Sequence, residues 1–83
     1  MSKQIIVVTA YGCLPCRTLK AELERHDIDF TEVDEADAED YDIEPNGVPT
    51  TLLLEDSRTR KVRELLYGYS RKILDGIIEF WRS

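Results

Sequence analysis

An apolar strand that leads directly into two closely spaced cysteines is the feature that most constrains this chain. Gln4–Ala10 (QIIVVTA) is a continuous, β-branched apolar run, which is typical of a strand buried on both faces. Cys13–Cys16 (CLPC) follows after two turn residues, and from Leu14 to His26 the apolar positions take helical spacing. The sequence therefore predicts both cysteines at a junction between a central strand and the N-terminal end of a helix.

The remaining hydrophobic pattern predicts the element order β-α-β-α-β-β-α. After the first helix, the predicted elements are a strand at Ile28–Asp34, a short helix at Glu35–Ile43, a hairpin of Thr50–Glu55 with Val62–Tyr67, and a last helix capped by Ser70. The βαβ half requires parallel strands and a right-handed crossover. We therefore expect one α/β domain over residues 1–83, with a four-stranded mixed sheet and helices on both faces.

Composition and charge argue against several classes of function. The net charge is −6, and residues 27–56 hold twelve acidic side chains and no Lys or Arg, which disfavours a nucleic-acid partner. No apolar run approaches the roughly 18–20 residues of a membrane span, and the first residues lack the pattern of a secretory signal. We therefore expect a cytoplasmic protein. The acidic segment 34–44 is interpreted as a solvated face, with steering of a basic partner as the alternative.

The spacing of the two cysteines indicates thiol–disulfide exchange. Free amides and the helix dipole at Cys13 favour its thiolate and lower the pKa of this exposed thiol. Cys16 lies one turn further along the helix, where we expect a buried thiol with a higher pKa. In this mechanism, Cys13 attacks a target disulfide and Cys16 then resolves the mixed disulfide that forms.

Two alternatives to this chemistry stay open. Zinc usually needs four ligands, and the single histidine, His26, lies about three helical turns from Cys13. A zinc site would therefore require a dimer. In the second alternative the pair is structural, and the chain is an interaction module without turnover.

A proline at the start of the third strand marks a second candidate part of the site. Gly47–Thr50 (GVPT) follows a turn, and a proline in this position is a natural place for a cis peptide bond. A cis Val48–Pro49 bond would leave the backbone of Val48 free to pair with an extended substrate segment. From these residues alone, a trans proline in an ordinary turn is the favoured alternative.

Over nearly its whole length the chain resembles the thioredoxin superfamily. Cys13–Cys16 is similar to the Cys-x-Pro-Cys site of that family. Tyr41–Ile43 followed by Gly47–Leu54 is similar to the segment that carries its cis proline. Gly68 and the helix from Ser70 resemble the end of its last strand and its C-terminal helix. The resemblance implies a thioredoxin-like fold and a protein disulfide oxidoreductase.

The resemblance also implies roles for particular residues. Cys13 becomes the nucleophile and Cys16 the resolving thiol, and Pro49 is cis. The substrate-binding residues are then Tyr11, Gly12, Leu14, Val48, Pro49, Gly68 and Tyr69. A monomer that needs no metal or organic cofactor is expected, with a disulfide-containing protein as its substrate.

Departures from the family pattern bear on the subfamily. Gly12 stands where thioredoxins have Trp, and Val7 stands where they have the buried acid that accepts a proton from the second cysteine. The short chain and its Tyr11-Gly12 pair are more similar to glutaredoxins and to the small redoxins that reduce ribonucleotide reductase, a candidate target. A single Gly68 before Tyr69 supplies only half of the glutathione-binding pattern. We therefore expect recycling by a thioredoxin reductase, with a glutathione-dependent glutaredoxin as the alternative.

Overall fold

The computed structural model describes residues 3–37, 49–56, 58 and 62–83. Within them lie the elements β1 (Gln4–Thr9), α1 (Leu14–Arg25), β2 (Thr31–Asp34), β3 (Thr50–Leu54), β4 (Val62–Tyr67) and α2 (Arg71–Arg82). A single 3₁₀ turn occupies residues 35–37, and the rest of the predicted helix Glu35–Ile43 lies outside the described residues. The described elements follow the predicted order.

The four described strands form one mixed sheet in the order β2-β1-β3-β4. β1 pairs in parallel with β2, from Ile6 opposite Thr31 to Thr9 opposite Asp34. β1 and β3 pair antiparallel, as do β3 and β4. The C-terminal end of β1 therefore lies at the same edge of the sheet as the start of β3 and the end of β4.

Alternate residues of the central strands supply two buried clusters. On one face, Ile5, Val7 and Leu53 pack with residues of both α1 and α2. On the other face, the buried residues of the sheet are Ile6, Val8, Val33, Leu52 and Leu54. Both described helices thus cover one face of the sheet, and the predicted helix that would cover the other face falls largely outside the described residues.

The helix α1 ends in a tight turn that the sequence pattern does not predict. Asp27 takes the left-handed conformation with φ of 57°, and the Ile28 amide donates to the carbonyl of Leu23 at 2.9 Å. This turn directs Ile28 into the core, where it is 3% exposed. Because residues 26–28 terminate the helix, β2 begins at Thr31 and is shorter than the predicted strand.

The C-terminal helix is fixed at both ends. The Ser70 hydroxyl accepts the amide of Ile73 at 3.2 Å, which is the predicted N-cap. At the other end, Lys3 Nζ donates to the carbonyl of Phe80 at 2.8 Å and to the carbonyl of Ser83. A buried row at Leu74, Ile77 and Phe80 attaches this helix to the sheet. Among the described elements, no helix is long and apolar enough to cross a membrane.

Candidate active site

The turn between β1 and α1 places Cys13 as the N-cap of the helix. Gly12 has φ of +78°, a conformation that glycine adopts without steric cost, and the Cys13 amide donates to the carbonyl of Ala10 at 3.3 Å. Cys13 Sγ in turn accepts the backbone amide of Cys16 at 3.1 Å. Pro15 occupies the first turn, where an amide hydrogen is not needed. The sulfur of Cys13 therefore lies at the N-terminal end of α1, where it accepts the amide of Cys16.

Cys13 and Cys16 are joined by a disulfide, with their Cα atoms 5.3 Å apart. Cys16 is 1% exposed and faces the core with Leu19 and Leu23, whereas Cys13 is only partly buried. An incoming thiol or disulfide would therefore meet Cys13 first. The described residues contain no group of three or more His, Cys, Asp and Glu side chains placed to hold a metal ion.

Two large apolar side chains flank the disulfide on the outside of the molecule. Tyr11 is fully exposed, and Leu14 is 68% exposed at the first position of α1. Across the same edge of the sheet, Tyr67 at the end of β4 is also exposed. Tyr11, Leu14 and Tyr67 are thus the large hydrophobic side chains that the described part of the chain leaves exposed.

Pro49 and Gly68 are hydrogen-bonded at the edge of the sheet where β1 ends. The amide of Gly68 donates to the carbonyl of Pro49 at 2.7 Å, and Gly68 takes φ of +84°. Pro49 is buried, and the pairing of Val8 with Thr50 brings it beside the end of β1. Tyr69 packs against the main core. Val48, and with it the predicted cis bond, lies outside the described residues.

A cleft beside the disulfide contains three hydrogen-bonded residues, Thr9, Lys20 and Glu32, that the sequence analysis did not identify. Its volume is about 540 Å³, and its walls are formed by Thr9, Ala10, Tyr11, Gly12, Cys13, Cys16, Arg17, Lys20, Glu32 and Asp34. Glu32 Oε2 accepts two hydrogen bonds of 2.8 Å, one from Lys20 Nζ and one from the hydroxyl of Thr9. The one available signal was a threonine that ends an otherwise apolar strand.

The contacts in this cleft determine the charge of Glu32. The hydrogen bond from Lys20 lowers the pKa of the Glu32 carboxyl below its ordinary value, and the hydroxyl of Thr9 adds to this shift, against a smaller opposing effect of burial. Glu32 is therefore an anion at neutral pH. Its side chain keeps 45% of its surface exposed, so water reaches the carboxylate.

The interior beneath α1 has no carboxylate at the position where the resembled family has one. Val7 is fully buried in the apolar cluster with Leu19 and Leu23. Thr51 pairs with Val7 on β3, and its buried hydroxyl finds no hydrogen-bond partner among the described residues. A proton that leaves Cys16 therefore cannot be taken up by a side chain at position 7.

Comparisons with known proteins identify the fold. No protein-family model and no curated protein sequence matches the chain. Thioredoxin f from spinach chloroplast (short form) has 21% identity and a TM-score of 0.72, with 99% of this chain and 78% of that chain covered. Oxidized mitochondrial thioredoxin 3 from Saccharomyces cerevisiae has 21% identity and a TM-score of 0.69, covering 93% and 76%. Thioredoxin f2, in a structure with ferredoxin:thioredoxin reductase, has 22% identity and a TM-score of 0.73, covering 99% and 79%.

The chain therefore has the thioredoxin fold, and the predicted resemblance is confirmed at the level of the fold. The predicted four-stranded mixed sheet is also confirmed. Cys13 and Cys16 lie at the N-terminal end of the first helix and form a disulfide there.

Proposed function

We propose that this chain reduces protein disulfides by thiol–disulfide exchange, with Cys13 as the attacking thiol and Cys16 as the resolving thiol. The observation that carries the proposal is the position of Cys13 Sγ, which accepts the Cys16 amide at the N-terminus of α1. A thiolate at this position gains both the hydrogen bond and the favourable end of the helix dipole. Cys16, buried directly behind it, is placed to attack a disulfide formed on Cys13.

The exchange balances over two steps. The thiolate of Cys13 attacks a target disulfide, a mixed disulfide forms, and the first target sulfur leaves as a thiolate that takes a proton from water. Cys16 loses its proton and attacks Cys13 Sγ, and the electron pair of the bond to the target leaves with the second target sulfur. The protein ends with the Cys13–Cys16 disulfide, and the target gains two electrons and two protons.

The substrate-binding surface is proposed around the disulfide at Tyr11, Gly12, Leu14, Val48, Pro49, Gly68 and Tyr69. The exposed ring of Tyr11 and the exposed side chain of Leu14 support contact with an apolar segment of the target. The backbone at Val48 would pair with an extended substrate segment, as expected beside a cis proline at position 49. Ribonucleotide reductase is one candidate target, and the chain is proposed to act as a single-domain, cytoplasmic monomer.

A thioredoxin reductase is the proposed electron donor. Binding of glutathione usually demands a glycine-rich turn that presents amides before the last helix, whereas this chain has a single Gly68 followed by the bulky Tyr69, which packs against the core. The strongly acidic chain also disfavours an anionic tripeptide. The structural neighbour that is found with ferredoxin:thioredoxin reductase adds support for a donor of this class.

Insulin reduction and a comparison of donors test these proposals. The wild-type chain should reduce insulin disulfides, Cys13→Ser should abolish the reaction, and Cys16→Ser should accumulate the mixed disulfide. The oxidised protein should then be reduced faster by NADPH with a thioredoxin reductase than by glutathione with its own reductase. Faster turnover with glutathione would place the chain among the glutaredoxins, and no insulin reduction at all would favour the non-catalytic interaction module.

A further inference from the structure

Cys16 must lose its proton before it can resolve a mixed disulfide, and the core beneath it is apolar. Val7 is fully buried, and the row of α1 that contains Cys16 continues with Leu19 and Leu23. A thiol in apolar surroundings holds its proton more tightly than one in water. If the proposed dithiol exchange is correct, the proton has to leave Cys16 toward the cleft.

Thr9 is the polar group on the helix-facing side of β1 nearest to the disulfide turn. Side chains alternate along a strand, so Thr9 lies on the same face as Val7 and is two residues closer to Cys13 along the chain. Thr9 is 6% exposed, and its hydroxyl donates to Glu32 Oε2 at 2.8 Å. A hydroxyl that donates one hydrogen bond can still accept another.

The cleft connects this pair of residues to the disulfide. Thr9, Glu32 and Lys20 share its walls with Cys16, and the volume of about 540 Å³ has room for water. Lys20 Nζ lies 2.8 Å from Glu32 Oε2, which holds the carboxylate against the threonine hydroxyl. Cys16, the Thr9 hydroxyl and a carboxylate that solvent can reach therefore border one cleft.

We propose that Glu32 accepts the proton of Cys16 through the hydroxyl of Thr9. As Cys16 attacks Cys13 Sγ, its thiol proton passes to the Thr9 oxygen, and the Thr9 hydroxyl proton passes to Glu32. Glu32 then passes the proton to water or to the departing target thiolate, so that Thr9 and Glu32 end unchanged and the protein has lost one proton, that of Cys16. Lys20 acts as a positioning residue that holds Glu32 in place.

The other charged groups of the cleft lack this connection to a buried hydroxyl. Arg17 and Lys20 face it from α1, Glu32 and Asp34 from β2, and Tyr11 from the turn, whereas β1 contributes neutral side chains. Asp34 Oδ1 accepts the amide of Ala36 at 2.9 Å and so belongs to the 3₁₀ turn. Among the described residues that line the cleft, Glu32 is thus the carboxylate hydrogen-bonded to β1.

A proton relay through Glu32 and a purely electrostatic effect of its charge predict opposite changes in the rate at which Cys16 resolves the mixed disulfide. A negative charge near Cys16 disfavours its thiolate, so removal of that charge in Glu32→Gln would speed resolution if Glu32 acted only through its field. Loss of a proton acceptor would slow resolution instead. It would also steepen the pH dependence, because Cys16 would then depend on hydroxide, and the rate would rise about tenfold per pH unit below the pKa of the thiol.

The experiment is stopped-flow mixing of the reduced protein with the aromatic disulfide dithiobis(nitrobenzoate). The first nitrothiolate released reports the attack by Cys13, and the second, whose rate does not depend on protein concentration, reports resolution by Cys16. We expect Glu32→Gln and Thr9→Val to slow the second phase by roughly 100-fold at neutral pH, the lower end of the range for a positioned general base. The first phase should stay within about twofold of the wild type.

Matched controls separate the relay from structural damage. Thr51→Val removes another buried threonine hydroxyl, one without a partner among the described residues, and Glu22→Gln breaks the ion pair of Glu22 with Arg25 at 2.7 Å. Both should leave the two phases unchanged, and thermal unfolding should show all variants folded.

Three outcomes decide the matter. A slower and more steeply pH-dependent second phase in Glu32→Gln supports the relay. A second phase in Glu32→Gln that is unchanged or faster overturns it while leaving dithiol exchange intact. A wild-type protein that releases no second nitrothiolate contradicts the proposed function itself.

Discussion

The free energy by which the fold stabilises the Cys13 thiolate can be worked out from the structure. Cys16→Ser leaves Cys13 as the single thiol and keeps the backbone amide that donates to Cys13 Sγ at 3.1 Å. A hydrogen bond to a charged group contributes about 1.5–3 kcal/mol, and a helix N-terminus adds about 0.3–1 kcal/mol for an anion. The sum of about 2–4 kcal/mol raises the ratio of thiolate to thiol by roughly 30- to 700-fold over the unfolded chain.

Alkylation by iodoacetamide measures this ratio. The rate at which iodoacetamide alkylates the Cys16→Ser variant should be measured from about pH 4 to pH 9, first in buffer and then in a concentration of urea that unfolds the protein. The midpoint of the folded protein should lie on the acid side of the unfolded one. In Cys13→Ser, the remaining thiol is 1% exposed and should react more slowly than Cys13 near neutral pH. Equal midpoints in buffer and urea, or faster alkylation of Cys16 than of Cys13, would refute the assigned roles.

Two further predictions concern the surroundings of the disulfide. Gly68→Ala adds a methyl group that meets nothing within 4 Å, so its cost of about 1–2 kcal/mol comes from the φ of +84° alone. The Gly68 amide holds Pro49 at the edge of the sheet. The loss of insulin-reducing activity, expressed as a free energy, should therefore exceed the loss in free energy of unfolding. Equal losses would contradict this. Lys20→Met should cost less than about 1 kcal/mol at neutral pH, since the ion pair with Glu32 is partly exposed. The low folded-state pKa of Glu32 stabilises the fold at neutral pH, and this contribution is lost as the pH falls through that pKa. Urea unfolding should therefore show a flatter acid dependence in Lys20→Met, and an unchanged profile would argue against the pair.

The parts of the fold that sequence reasoning predicted are those with a strong local pattern. The apolar run of β1 has to be buried on both faces, and the structure buries Ile5–Thr9 in full. The cap at Ser70 and the apolar stripe that follows it place α2 within a residue of its predicted start. The cysteines were located by the strand on one side of them and the helix on the other.

The contact between Lys20 and Glu32 was not predicted, because it depends on pairing between segments that are distant in sequence. Lys20 has the appearance of a solvated helix residue, and Glu32 belongs to a short strand of mostly exposed side chains. They meet only because the parallel register sets Thr9 opposite Asp34 and so brings the helix-facing side of β2 beneath α1. A register is a tertiary property, which hydrophobic periodicity does not determine for a strand of four residues.

The replacement of a buried acid by Val7 has a physical consequence for where proton transfer takes place. A carboxylate at the centre of an apolar core costs several kcal/mol, a large fraction of the stability of a small domain. Val7 removes this cost and lets β1 pack against α1 without a polar gap. Glu32 keeps nearly half of its side-chain surface in water and is paired with Lys20, so it is ionised at little cost in stability. On the proposed relay, the proton of Cys16 then leaves through a cleft that is open to solvent, and a bound substrate that covered the cleft would slow its own release.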